Sequence, residues 1–190
     1  LFLPKENISS VNGLFDSLAA MNSGNCRQRQ AVAAIKRLGV LTDLSKYAPI
    51  VCGTIPLQID LEESDLDIIL YITNLNQFEQ EVFNLYGHLP DFTLERKLIR
   101  AEAVVKANFN FGGFEFEFFG QDQPTHKQHA YLHMVIQAEI LKRDKSLKNQ
   151  IIKLKEKGYK TEPAFCEVLG IDGDPYIGLL EYGRQNRFIK

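Results

Sequence analysis

The sequence predicts an α/β domain, a mixed sheet of about four to five strands flanked by helices, followed by a helical C-terminal portion. Three observations predict it. Two apolar segments flank a Gly-Thr pair and an acid-rich loop at 51–72, V-C-G-T-I-P-L-Q-I-D-L-E-E-S-D-L-D-I-I-L-Y-I. Gly112-Gly113 separates two alternating runs, the pattern of a two-residue hairpin. From Pro124 onward the pattern is helical. The expected organisation is an extension at 1–25, an α/β core at 26–123, and a helical portion at 124–190 packed on that core.

The elements follow in order. A short helix is expected at 15–21, and Asn22-Ser23-Gly24-Asn25 marks a loop. Ala31, Ala34, Ile35 and Leu38 recur at helical spacing within 27–38, and Gly39 provides a stop. A helical turn at 42–47 leads through Pro49 to a strand at 50–52. After the acid strand at 66–72, Asn74 can cap a helix with Leu75, Phe78, Val82 and Leu85 on one face, ended by Gly87 and Pro90. A short edge strand is expected at 92–95, then a long alternating stretch at 100–111.

The hairpin places Phe111 opposite Phe114, Asn110 opposite Glu115 and Asn108 opposite Glu117. One face then carries Phe109, Phe111, Phe114, Phe116 and Phe118. The other carries Lys106, Asn108, Asn110, Glu115 and Glu117. A sheet covered on one side and wet on the other gives this pattern without any special role for its acids. His126, His129 and His133 are spaced to share a helical face, but without the His-Glu-x-x-His of a zinc protease. Thr161 reads as an N-cap. Asp172-Gly173-Asp174-Pro175 reads as a turn into a last helix at 175–182, and lacks the rest of a calcium loop.

The chemistry concentrates at 53–67. In Asp65-Leu66-Asp67 the carboxylates are two apart, so on a strand they point to the same side. Two anions so close repel unless a cation sits between them, and oxygen-only ligands suit a hard ion such as Mg²⁺. Gly53-Thr54 follows an apolar strand and is expected to open a helical turn whose free N–H groups can hold a phosphate. A phosphate cradle beside an acid pair points to chemistry on a nucleotide.

Gly-Thr, ten residues, then Asp-x-Asp resembles the Gly-Ser…Asp-x-Asp signature of the nucleotidyltransferase superfamily typified by DNA polymerase beta. More narrowly, residues 25–182 resemble an uncharacterised bacterial domain-of-unknown-function family assigned to that superfamily. The shared blocks are G-T-I-P-L…S-D-L-D-I, F-G-Q at 119–121, A-Y-L-H-M at 130–134 and K-T-E-P-A-F at 160–165. The resemblance implies a nucleotidyltransferase fold and transfer of a nucleoside monophosphate from a nucleoside triphosphate to an unidentified hydroxyl. It also implies a third carboxylate on a strand beside the acid pair. Glu117 takes the matching position, with Glu115 as the alternate.

On this reading Asp65, Asp67 and Glu117 would hold two Mg²⁺ ions (or Mn²⁺), about 4 Å apart, with Asp67 bridging. Gly53 would allow close backbone approach and Thr54 would donate to the β/γ-phosphates. Ser64 and Lys160 are further nucleotide-binding candidates, and Lys106, Asn108, Tyr131 and His133 could line the pocket. Three departures stand against the family pattern: Thr replaces Ser, Pro56 stiffens the turn, and no basic residue follows Gly-Thr before the acids. The competing reading is a catalytically silent protein of the same fold, binding a nucleotide, RNA or a protein partner.

Composition narrows the classes. The 190 residues are 45% hydrophobic, enough for one sizeable core, and 22 basic residues against 24 acidic ones leave no whole-chain field for a polyanion. Eight basic residues against two acidic ones at 142–160 read either as a solvated helix face or as a surface for RNA, which is possible but not favoured. Cys26, Cys52 and Cys166 lack metal-ligand spacing and suit reduced thiols in the cytoplasm. No apolar run approaches the ~20 residues of a membrane span. Leu1-Phe2-Leu3-Pro4 is too short for a signal-peptide core, and the absence of an initial Met is expected of a trimmed or truncated chain.

Overall fold

The computed structural model describes residues 17–190. The expectations for Leu1-Phe2-Leu3-Pro4 and for the first two residues of the helix at 15–21 lie outside them. Within them the order is α1 (Ser17–Asn22), α2 (Cys26–Leu38), α3 (Val40–Asp43), β1 (Ile50–Cys52), β2 (Leu66–Tyr71), α4 (Leu75–Tyr86), β3 (Thr93–Ile99), β4 (Glu102–Phe111) and β5 (Phe114–Gln121). Then come α5 (His129–Arg143), α6 (Leu147–Glu156), α7 (Thr161–Leu169) and α8 (Pro175–Gln185). The strands form one mixed sheet in the order β1-β2-β5-β4-β3, with β2 and β5 parallel and the other neighbours antiparallel.

Local signals explain the start points. Asn25 caps α2 in a reciprocal capping box with Gln28, and Gly39 ends it at a left-handed φ of 78°. Asn74 caps α4 by accepting from the Gln77 N–H. Asp174 accepts from the Tyr176 and Ile177 N–H groups, with Pro175 at the first position of α8. Gly112 and Gly113, both at positive φ, close the β4–β5 hairpin in the expected register, Phe111 opposite Phe114 and Asn108 opposite Glu117.

Four local expectations are corrected. β3 is seven residues long and begins at Thr93, because its mostly exposed Glu95, Arg96 and Lys97 occupy a sheet edge, where charge is tolerated and conceals a strand. Arg100 and Ala101, at φ 52° and 65°, form a two-residue turn without glycine, so the alternating stretch begins only at Glu102. Thr161 is the first residue of α7 and not its cap, since Lys160 holds the extended cap conformation. His126 sits in a separate 3₁₀ turn, Thr125–Lys127, so only His129 and His133 share the face of α5.

The main core lies between one sheet face and helices α2 and α4. Phe109 is its hub. It stacks on Phe116 (5.5 Å between centroids) and Tyr86 (5.4 Å), and meets Phe118 edge-on at 5.0 Å. Burying a phenylalanine here removes its full apolar area from water and adds favourable ring geometry. Phe109→Ala is expected to lower stability by about 3–5 kcal/mol, read as an earlier midpoint in urea unfolding with an unchanged slope. A second cluster joins α5 to α8 around Ile136, Phe165 and Leu179, and takes in Ile59 from the β1–β2 connection. A smaller one seats Met134 of α5 on Ile50, Cys52 and Ile69, on the opposite sheet face from Phe109.

The β1–β2 connection, 53–65, is gripped from two sides. Arg27 of α2 donates to the carbonyls of Glu62 (2.7 Å) and Ser64 (3.1 Å) and pairs with Asp60 (3.1 Å). Gln28 donates to the carbonyls of Ile55 and Pro56, each at 3.1 Å. From α6, Lys148 reaches the Gln58 side chain, and the buried Lys155 ammonium donates to the Ile59 carbonyl at 2.6 Å. Burial lowers the pKa of Lys155, although Asp60 and Asp65 oppose the shift. The basic run at 142–160 is therefore not a uniform solvated face.

Candidate active site

Strand alternation sets the site. Leu66, Ile68 and Leu70 enter the main core, so Asp67 and Ile69 of β2 face the other side. On β5, Phe116 and Phe118 enter the same core, which turns Glu117, Phe119 and Gln121 toward Asp67. The parallel register places Asp67 directly beside Glu117. Asp65 arrives from the end of the gripped connection. One carboxylate oxygen each of Asp65, Asp67 and Glu117 lies within 4.8 Å of the others.

These acids open into a cavity of about 710 Å³. Its walls come from both halves of the chain: Gly53, Thr54 and Lys106 from the sheet side, Arg100 and Glu102 from the β3–β4 tip, His129 and His133 from α5, and Lys160 and Glu162 from the start of α7. Gly53 has φ 80°, and a Cβ built on it would lie 1.9 Å from Asp67 Oδ2. The expected helical turn after it is a tight turn: the Leu57 and Ile59 N–H groups both donate to the Thr54 carbonyl. Pro56 has no N–H to extend a helix, and Gln58 at φ 57° reverses the chain.

Other expected residues stand elsewhere. Ser64 Oγ accepts from the Leu61 N–H (2.9 Å) and braces its own loop, outside the cavity. Asn108 donates to Glu115 (3.0 Å) on the exposed part of the hairpin, so Glu115 is engaged away from the acid trio. Tyr131 packs in the small cluster with Met134 and Cys52. Arg100, Glu102, His129 and Glu162 line the cavity and were not singled out for it from the sequence. For Glu162 the signal was its place in the K-T-E-P-A-F block; for Arg100 there was none, because the turn that delivers it contains no glycine.

Electrostatics are dominated by the acids. Burial, then Asp65 and then Glu117, push the Asp67 carboxyl up to about 8. Burial and Glu117 raise Asp65 as well. Lys106 pairs with Glu117 at 2.7 Å, and this contact outweighs burial to raise the lysine. His133 is held at both nitrogens: Nε2 donates to the Tyr176 carbonyl (2.9 Å) and Nδ1 faces Glu162 at 3.5 Å. Burial alone would raise Glu162, but His133 prevails and lowers it. At the mouth, Arg100 contacts His129 and lies over the Tyr176 ring, and burial followed by Arg100 lowers His129.

The raised Asp67 carries a stability consequence. Between its ordinary 3.8 and about 8 the folded chain keeps a proton that the unfolded chain has released. Without metal, stability must therefore fall as pH rises through that window, by roughly 5 kcal/mol if Asp67 titrated alone. Thermal melts in EDTA at pH 5 and pH 8 should show the loss, and added Mg²⁺ should restore more at pH 8, where it competes with fewer protons.

The donor set fits a hard divalent ion: three carboxylates in reach of one point, no nitrogen or sulfur ligand among them, and a mutual repulsion that a cation relieves.

This fold is that of nucleotidyltransferases. The chain overlays a solved GLD-2/RNP-8 complex with a TM-score of 0.55 at 14% identity, covering 92% of this chain and 72% of that one. It overlays the Cid1 poly(U) polymerase bound to MgGTP with a TM-score of 0.51 at 12% identity, covering 77% of this chain and 48% of that one. A further Cid1 structure, described for its RNA terminal uridylyl transferase activity, gives 0.52 at 12% identity and covers 77% and 47%. The chain thus spans about half the length of the Cid1 structures. No curated protein matches the sequence. Residues 33–182 match the family described as Domain of unknown function (DUF4269), and the chain belongs to that family.

Proposed function

We propose that this protein is a Mg²⁺-dependent nucleotidyltransferase that moves a nucleoside monophosphate from a nucleoside triphosphate to a hydroxyl acceptor. The observation that supports this reading best is the trio of Asp65, Asp67 and Glu117 within 4.8 Å, opening into the cavity that also holds Gly53 and Thr54. A divalent ion on these carboxylates would neutralise charge that builds on the phosphate oxygens as pyrophosphate leaves.

The chain's own residues would do the rest. Gly53 leaves the backbone open to a phosphate, and Thr54 donates its hydroxyl to the triphosphate tail. Lys160, at the start of α7, offers a further positive charge to that tail. Glu117, on the strand beside Asp67, accepts the proton of the attacking hydroxyl. The α5 and α7 walls hold the nucleoside and limit water, which would compete with the acceptor. Three free thiols suit a cytoplasmic setting.

Calorimetry with each of the four α,β-methylene nucleoside triphosphates, with and without Mg²⁺, tests the reading. The expected result is binding of at least one that requires the metal. Binding indifferent to Mg²⁺ would favour the silent relative. The solved Cid1 structures bind nucleotides and act on RNA, and whether this chain's acceptor is RNA is decided by following α-³²P label from the bound nucleotide into oligoribonucleotide or small-molecule fractions.

A further inference from the structure

Lys106 stands in the acid centre with no part in the transfer reaction as derived above. It lies on β4, and its pairing partner across the sheet is Phe119, two residues beyond Glu117. Its side chain therefore shares the cavity face with Glu117, one diagonal away, and crosses to place Nζ 2.7 Å from Glu117 Oε2. The next residue on that face, Asn108, makes the parallel diagonal reach to Glu115. The two pairs divide the strand's acids: an uncharged amide for the outer one, a full cation for the one beside Asp67. Both members of the Lys106–Glu117 pair are partly shielded, with side chains 25% and 20% exposed.

Charge balance makes this pair consequential. Three ionised carboxylates carry three negative charges. One ammonium and one divalent ion together just balance them. A second divalent ion would leave a surplus of two positive charges in a partly buried site and would have to displace the ammonium from Glu117.

We propose that Lys106 takes the place of a second metal ion, so that the protein alone holds one divalent ion, on Asp65 and Asp67, while the ammonium holds Glu117. This rests on the metal-dependent reading of the cavity, and departs from the two-ion arrangement that the acid trio first implied. Lys106 is then a positioning residue: it holds the third carboxylate in place beside Asp67, and supplies a fixed positive charge on the side where the acceptor hydroxyl arrives.

The test counts bound Mn²⁺ by electron paramagnetic resonance titration of the nucleotide-free protein, a readout independent of turnover. Wild type should saturate at one ion per chain. Lys106→Met and Lys106→Gln should each admit a second ion, and Lys106→Arg, which keeps the charge, should stay at one. Lys106 is on the partly exposed face of a strand whose opposite face forms the core, so these variants should keep their circular dichroism spectrum; two neutral variants guard against one that fails to fold. Two ions on wild type, or one ion on both neutral variants, would overturn the proposal while leaving the metal-dependent reading intact. No Mn²⁺ bound by any of them would overturn both.

Discussion

Asp67→Asn is expected to weaken metal-dependent nucleotide binding sharply while making the metal-free protein more stable at pH 8. The amide matches the carboxylate in shape, so the β2–β5 register and the packing around Cys52 need not change. What disappears is the central charge of the trio. If Asp67 holds the metal as proposed, beside both Asp65 and Glu117, its loss should weaken Mg²⁺-dependent triphosphate binding by at least about 100-fold, or ~2.7 kcal/mol. The stability gain has the opposite sign for the same reason. Asp67 is pushed up to about 8 by burial and by like charges, and at high pH wild type must ionise it against them. A neutral amide removes that cost, and the decline in stability between pH 5 and pH 8 should flatten. Calorimetry and thermal melts in EDTA read the two effects separately. A variant that still bound nucleotide with undiminished Mg²⁺ dependence would move the metal elsewhere.

The second large effect is expected from Gly53→Ala. Two penalties act at once. A left-handed φ of 80° costs an alanine about 1–2 kcal/mol, and its methyl would stand 1.9 Å from Asp67 Oδ2, so the carboxylate must swing away. Gly113 separates the two. It has φ 86°, yet a Cβ there meets nothing within 4 Å. Gly113→Ala should therefore lose stability of similar size and keep Mn²⁺ affinity, whereas Gly53→Ala should lose at least about tenfold in Mn²⁺ affinity on top, ~1.4 kcal/mol. Equal Mn²⁺ affinity in the two variants would show that the glycine serves the turn alone.

Gly53 serves a turn, a strand end and a carboxylate's resting place together, and only the second sheet partner reveals the last of these. Cys52 pairs with Asp67 across β1–β2, which sets Gly53 against the acid's oxygen. The grip on 53–65 by Arg27, Gln28 and Lys155 likewise joins α2 and α6 to a loop that is remote from both in sequence.

The sequence by itself determined the features that depend on short range. Strand alternation turned Asp67 away from Leu66, Ile68 and Leu70, and a two-residue Gly-Gly turn aligned Asn108 with Glu117 and turned five phenylalanines to the opposite face. Asp65, by contrast, stands just before β2 and is brought to the site by the connection, not by the strand. The cap at Asn74 had its direct chemical cause in its own side chain, and the turn signals at Asn25 and Asp174 marked helix starts whose capping role the structure shows. Tertiary structure alone decided what depends on elements meeting: that β5 runs parallel beside β2 and brings Glu117 to Asp67, that Lys106 holds Glu117, and that Glu162 lies on His133. It also decided that Lys155 is buried beneath a carbonyl and that Arg100 overhangs the cavity. The physical reason is one of range. Backbone alternation, turn geometry and caps act over a few residues, so neighbours in the chain suffice to specify them. A lysine's partner, or a carboxylate's field, depends on which distant elements pack alongside it, and the same side chain can face solvent or an acid trio with no change in its local sequence.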